Sequence, residues 1–125
     1  MAWDERHALG VAAMDATHRE FVAHLEALTA ADDASFPGLL EALAEHTRQH
    51  FDGEAVLMKQ CRFPATGEHT SEHLRVLGEM AFMGRAAKAG RLKAARNYVE
   101  ALPAWFATHL ATMDAALAAC LKRLP

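Results

Sequence analysis

Residues 50–58 read HFDGEAVLM, a run whose apolar members recur at helical spacing while His50 and Glu54 stand among them, four positions apart. Residues at i and i+4 lie about 40° apart around an α-helix, one turn above each other. Both polar groups therefore point where the leucines point, toward a core. A carboxylate withdrawn from water is strongly unfavourable unless it is paired or bound to a cation. The stretch reads as a helix that carries a two-toothed claw of metal-capable side chains into a protein interior.

Outward from this claw, the helix is expected to run from about Phe36 to Cys61, with Leu39, Leu43, His46, His50, Glu54, Leu57 and Cys61 on its inward stripe. Pro37 is tolerated in its first turn and Ser35 is a capping candidate. Pro64 and Gly67 end it. Upstream, a helix over about Asp15 to Ala31 places Met14, His18, Phe21, Leu25 and Leu28 on one face, with Asp15 as N-cap. An N-terminal arm precedes it, with Trp3, Leu9 and Val11 as anchors. Downstream, about Thr66 to Ala89 presents His69, His73, Val76, Leu77 and Met80, and Gly90 closes that helix. A last helix spans about Arg91 to Leu121, with Pro103 expected to kink or divide it near Ala101. Four helices with short connections make an all-α, up-down-up-down four-helix bundle, residues 1–125 forming one domain.

Composition agrees. The chain has 125 residues, 52% of them hydrophobic, and alanine and leucine dominate over β-branched residues. A net charge of −3 without a basic cluster gives no footprint for nucleic acid or an anionic membrane. No uninterrupted apolar run approaches the ~20 residues that span a bilayer. The N-terminus lacks a basic and then apolar leader, so a cytoplasmic protein is expected. Cys61 and Cys120 read as helix-packing thiols. The unusual residue is histidine, of which there are eight.

Every expected helix brings a donor inward: His18, then His50 and Glu54, then His69 and His73, then His109. One histidine on an apolar face is ordinary, but two i, i+4 claws and two further histidines on facing helices imply a cation at the centre. Asp114 follows His109 by five residues, about 140° round an ideal helix, and must reach in from the flank. Imidazoles and carboxylates without paired thiolates exclude iron–sulfur and cysteine-rich zinc sites and leave iron, manganese, copper or zinc. No glutamate is followed by histidine three positions later, which removes the ferritin-like arrangement. His7 and His24 read as surface residues. His46 reads either as partly buried or as a neighbour supporting the donors.

Taken together, LGVAAMDATH (9–18), HFDGE (50–54), HTSEH (69–73) after Phe63-Pro64, and WFATHLATMD (105–114) resemble the successive signatures of bacterial hemerythrins over essentially the whole chain. The resemblance implies two iron ions, Fe2+ or Fe3+, with an oxo or hydroxo bridge. It implies that His69, His73 and His109 hold one iron, His18 and His50 the other, and that Glu54 and Asp114 bridge them. The two-histidine iron would keep an open position for O2, or for azide and similar anions in the oxidised form. Reversible O2 binding for storage, delivery or sensing follows, without enzymatic turnover; a di-iron redox enzyme, an oxidase or a handler of peroxide or NO, is the alternative. Phe21, Phe51, Trp105, Phe106, Leu110 and Met113 are expected to line a dry O2 pocket. The chain departs from the family pattern at Ala55, where a second glutamate is common, at Phe63, where tyrosine is frequent, and at Pro103.

Overall fold

The computed structural model describes residues 1–125, and its regular elements are all helical. The long elements are α1 (Ala12–Ala30), α2 (Phe36–Gln60), α3 (Thr66–Lys88) and α4 (Leu92–His109). A π-helical turn (Leu110–Asp114) carries α4 into α5 (Ala115–Lys122), so that Leu92–Lys122 is one 31-residue helix. Helices adjacent in sequence pack side by side, and α1 against α4 closes the ring. Links this short force neighbouring helices antiparallel, which gives the up-down-up-down bundle.

Two of the three links are built by the same device. After α2, Arg62 adopts a left-handed φ of 52°, its amide donates to the Lys59 carbonyl, and the Phe63 amide donates to Met58 at 2.9 Å. After α3, Gly90 has φ 88°, its amide donates to Ala87, and the Arg91 amide donates to Ala86. These are Schellman closures, which satisfy the last carbonyls of a helix by turning the chain sharply. At the first of them Phe63 and Met58 pack together in one buried cluster, the apolar contact that accompanies this motif.

Helix α1 begins earlier than expected, because Asp15 does not cap it. Val11 holds the cap position, and Gly10 turns the chain with φ 79°. The buried Asp15 carboxylate instead accepts from the amides of Leu9 (2.8 Å) and Gly10 (3.2 Å), tying the arm to the helix. Trp3 and Leu9 pack on the main core and Val11 on a smaller one, as the arm's anchors should. Ser35 stands at the cap of α2, but its side chain makes no capping bond.

Pro103 does not divide the last helix: α4 runs unbroken from Leu92 to His109. Proline removes one backbone bond, but Val99, Leu102 and Phe106 around it stay packed on the bundle. The departure from α geometry comes instead at Leu110–Asp114. By composition and length Leu92–Lys122 is apolar enough to cross a membrane, yet Ala95, Phe106 and Leu117 along it are buried in the bundle, as in a core helix.

The buried line of α2 also differs from the expected stripe. It passes through Phe36, Leu40, Leu43, Thr47, His50, Glu54 and Met58, leaving Leu39, His46, Leu57 and Cys61 half-buried on its flank. Two apolar clusters result. A larger one around Phe21, Leu25, Leu43, Met80 and Phe106 fills one end of the bundle, and a smaller one around Met14, Met58, Phe63 and Leu117 fills the other. Along the chain His18 falls between Met14 and Phe21, His50 and Glu54 between Leu43 and Met58, His69 and His73 between Phe63 and Val76, and His109 and Asp114 between Phe106 and Leu117, so they form a polar layer sandwiched between the two clusters.

Candidate metal centre

All seven expected donors are buried: His18, His69 and Asp114 are 0% exposed, Glu54 2%, His73 and His109 4%, and His50 6%. Their facing atoms gather into two groups, within each of which every donor atom lies within 4.8 Å of the others. One group is His69, His73, His109, Glu54 and Asp114; the other is His18, His50 and Glu54.

The carboxylates join the groups. Glu54 Oε2 lies 2.8 Å from His50 Nε2 and 3.4 Å from His18 Nε2, while its Oε1 lies 3.2 Å from His69 Nε2 and 3.4 Å from His73 Nε2. Asp114 does the same from the opposite helix. Its Oδ2 is 3.1 Å from His18 Nε2, and its Oδ1 is 3.1 Å and 3.2 Å from the Nε2 atoms of His69 and His109. Each carboxylate thus gives one oxygen to the two-histidine set and the other to the three-histidine set.

Asp114 reaches this position because of the π-helical turn. The Ala115 amide donates to Leu110, five residues back, so the turn accommodates one residue more than an α-helical turn. That extra residue brings Asp114 round to the face of His109, where an ideal helix would leave it about 140° away. Single π turns of this kind are frequent at functional sites.

The donors fit a bound cation better than they fit one another. Glu54 Oε1, His69 Nε2 and both Asp114 oxygens are buried without an aligned hydrogen-bond partner, although neighbours lie little more than 3 Å away. Their lone pairs converge on shared points instead of meeting in donor–acceptor pairs. His73 Nε2 and His109 Nε2 also face each other at 3.2 Å.

The electrostatics show the same conflict. Burial opposes charge on His18 and His69, yet Asp114 and Glu54 beside them prevail and raise each pKa to about 9. Burial lowers His73 to about 3, with His69 and His109 adding to the effect. Burial also works against ionised Glu54 and Asp114, but the surrounding imidazoles hold both below the usual carboxylate range.

Aromatic rings wall the layer. Phe51 stacks on His73 with centroids 3.6 Å apart, Trp105 stacks on His109 at 4.8 Å, and Phe106 meets His18 edge-on at 5.5 Å. Phe21 packs on Phe106 at 4.7 Å, and Leu110 is buried nearby in the same core. Met113 is only half-buried and borders an open surface groove with Pro64, Ser71 and Arg75. His46 lies one turn outside the donors, its Nε2 3.4 Å from the Thr17 carbonyl and its ring 6.1 Å from that of His50. His24 and His7 are half-buried, the former against His46 and the latter against Trp3. None of these outer histidines belongs to either donor group.

The description "Hemerythrin HHE cation binding domain" matches residues 9–121. A bacteriohemerythrin from Ralstonia nicotianae is 38% identical over 112 residues, covering 90% of this chain and 82% of that protein. No solved structure matches the chain. The matched region runs from the arm through α5 and contains all seven converging donors, and the chain belongs to the hemerythrin family.

Proposed function

We propose that this protein binds O2 reversibly at a carboxylate-bridged, non-haem di-iron centre held by His18, His50, Glu54, His69, His73, His109 and Asp114. The observation that carries the reading is the division of one buried donor layer into a three-histidine and a two-histidine set that share Glu54, with Asp114 also reaching from His69 and His109 to His18. Seven donors exceed the needs of one ion, and two bridging carboxylates suit a pair. Family membership supports iron as the metal. When bound, a ferrous pair would supply the electrons with which O2 is held.

The protein's own part is placement and exclusion. His69, His73 and His109 with Glu54 and Asp114 would offer one iron five side-chain donors, whereas His18 and His50 with the same carboxylates would offer the other one fewer. An exogenous ligand, O2 or an anion such as azide, is therefore expected on the His18/His50 side. Phe51 and Phe106, packed against His50 and His18 with Phe21 behind Phe106, shield the inner face of that side, and fewer waters around a charged reactive centre limit proton delivery and loss of reduced oxygen. The role is binding, for storage, delivery or sensing in the cytoplasm, rather than turnover.

Metal analysis combined with an anaerobic-to-air optical titration tests the reading. About two irons per chain and a spectrum that reverts when O2 is removed are expected. O2 consumed without reversion supports the oxidase alternative, and a single zinc without iron overturns the di-iron reading.

A further inference from the structure

A cavity of about 230 Å³ opens between α1 and α2 and reaches the polar layer. Ala13, Met14 and Thr17 form its α1 wall, and His50 and Glu54 lie at its inner end. Its outer part carries Glu20 and His46, with His46 Nδ1 3.6 Å from Glu20 Oε2. His24, one turn beyond Glu20 on α1, packs its ring against His46 with centroids 4.8 Å apart. His46, His50 and Glu54 follow one another at i, i+4 and i+8 on α2, so metal-capable groups run from the surface to the centre at one-turn intervals.

Gly53 borders the same cavity. A Cβ built there meets nothing within 4 Å, so no contact forbids a side chain. Glycine inside a helix is unfavourable relative to alanine, and its occurrence here keeps the space beside His50 and Glu54 open.

We propose that Glu20, His46 and His24 form a transient site for a divalent first-row cation, through which metal passes between solvent and the His50/Glu54 side of the centre. The inference rests on the di-iron reading above. The chemistry of the cavity mouth selects its traffic. Imidazole and carboxylate suit ferrous iron and its neighbours, Glu20 disfavours anions, and neither group has any affinity for an apolar molecule such as O2. Glu20 is 63% exposed on its side chain while that of His46 is 13% exposed, so one donor meets the hydrated ion and the next receives it partly dehydrated. The three residues do not draw together as tightly as the buried donors, so an ion would be held there loosely. A site that held the ion firmly would stop it there.

The test measures iron(II) release from the reduced, oxygen-free holoprotein to a ferrous chelator, and iron(II) uptake by the same full-length chain after metal removal. Glu20→Gln and His46→Ala are expected to slow both by about three- to tenfold, the effect of weakening attraction for a doubly charged ion near the surface. Final iron content and the azide-adduct spectrum should be unchanged, because a point of passage alters rates in both directions and not the equilibrium. Gly53→Leu, which fills the cavity, should slow both as well, with Gly53→Ala as the milder form.

His46→Ala discriminates most sharply, since it widens the opening while removing a donor. Release as fast as, or faster than, that of the unsubstituted protein shows a mere hole and overturns the proposal. Unchanged iron kinetics with slower azide binding in Gly53→Leu assign the cavity to small ligands, which also overturns it. An unsubstituted protein that takes up no iron refutes the di-iron reading itself.

Discussion

Deleting Ala111, an exposed residue inside the π-helical turn, should leave the bundle folded, whereas deleting Ala107, exposed in regular α4, should destroy it. Each residue of an α-helix advances about 100° around the axis. Removing one from α4 therefore rotates everything beyond it by that angle relative to everything before. With Ala107 gone, His109, Leu110, Asp114 and Leu117 leave their buried positions, or Val99, Leu102 and Phe106 do. Losing the packing of three or four such side chains costs roughly 2–5 kcal/mol each. That sum meets or exceeds the whole stability of an ordinary domain, roughly 5–15 kcal/mol. The π turn already contains one residue more than an α turn, so deletion there lets it relax to α geometry. Asp114 then stands four residues after His109, about 40° away on the same face. Leu117, Ala118 and Cys120 keep their orientation, and the loss should stay below that of one truncated core residue, about 2 kcal/mol. Urea denaturation gives the stabilities, and iron analysis reports whether the centre still assembles. Equal collapse of both deletion proteins would refute the idea that the turn's extra residue is what aligns Asp114 with His109.

Three further outcomes follow from the centre's composition. Metal-free protein should melt lower than iron-loaded protein by about 10–15 °C, the size expected when ligand is present at 100 to 1,000 times its dissociation constant and binds only the folded chain; equal midpoints contradict a core site. His73→Ala should lower iron content, because the three-histidine set has no vacant position to absorb a lost ligand, whereas His50→Ala should first change azide and O2 binding on the other side; identical effects on both measures contradict the asymmetry. In the folded metal-free protein His18 and His69, with pKa values raised to about 9, carry protons at pH 7.5 that iron must displace. Adding iron(II) to weakly buffered metal-free protein should therefore acidify it, and loading without proton release contradicts the placement of these two histidines.

The bundle was legible in sequence because its signals are local. The helix-spaced apolar residues around His50, the break at Pro64, and Gly90 each state their structural role within a turn or two, whereas Gly67 falls inside α3 and ends nothing. Helix ends were less legible where long-range or backbone chemistry competes. Asp15 has the identity of an N-cap, but its carboxylate serves the Leu9 and Gly10 amides, and Arg62 carries no sequence sign of the left-handed conformation it adopts. Pro103 marks a break that packing overrides.

The donor layer was legible for a different reason. Buried polar residues at repeated i, i+4 spacing are too unfavourable to occur without a partner, so His50/Glu54 and His69/His73 point to one another across the bundle. Asp114 was the exception, since periodicity places it off the face. The five-residue interval after His109 was itself the trace of an inserted residue, but only the hydrogen bond from Ala115 to Leu110 reveals where the helix absorbs it. The groove that joins Glu20 and His46 to the centre was illegible, because it depends on how α1 and α2 face each other.

One buried layer should hold two irons that share Glu54 and Asp114. An anomalous-difference map recorded across the iron absorption edge, on crystals of the azide adduct of the oxidised protein, locates both ions and the bound anion. Two peaks about 3.5–4 Å apart or slightly closer are expected, as in two-metal sites. One peak should lie among His69, His73 and His109 and the other between His18 and His50, with azide on the second. A single peak contradicts the di-iron centre, and azide on the iron among His69, His73 and His109 contradicts the assignment of the open position.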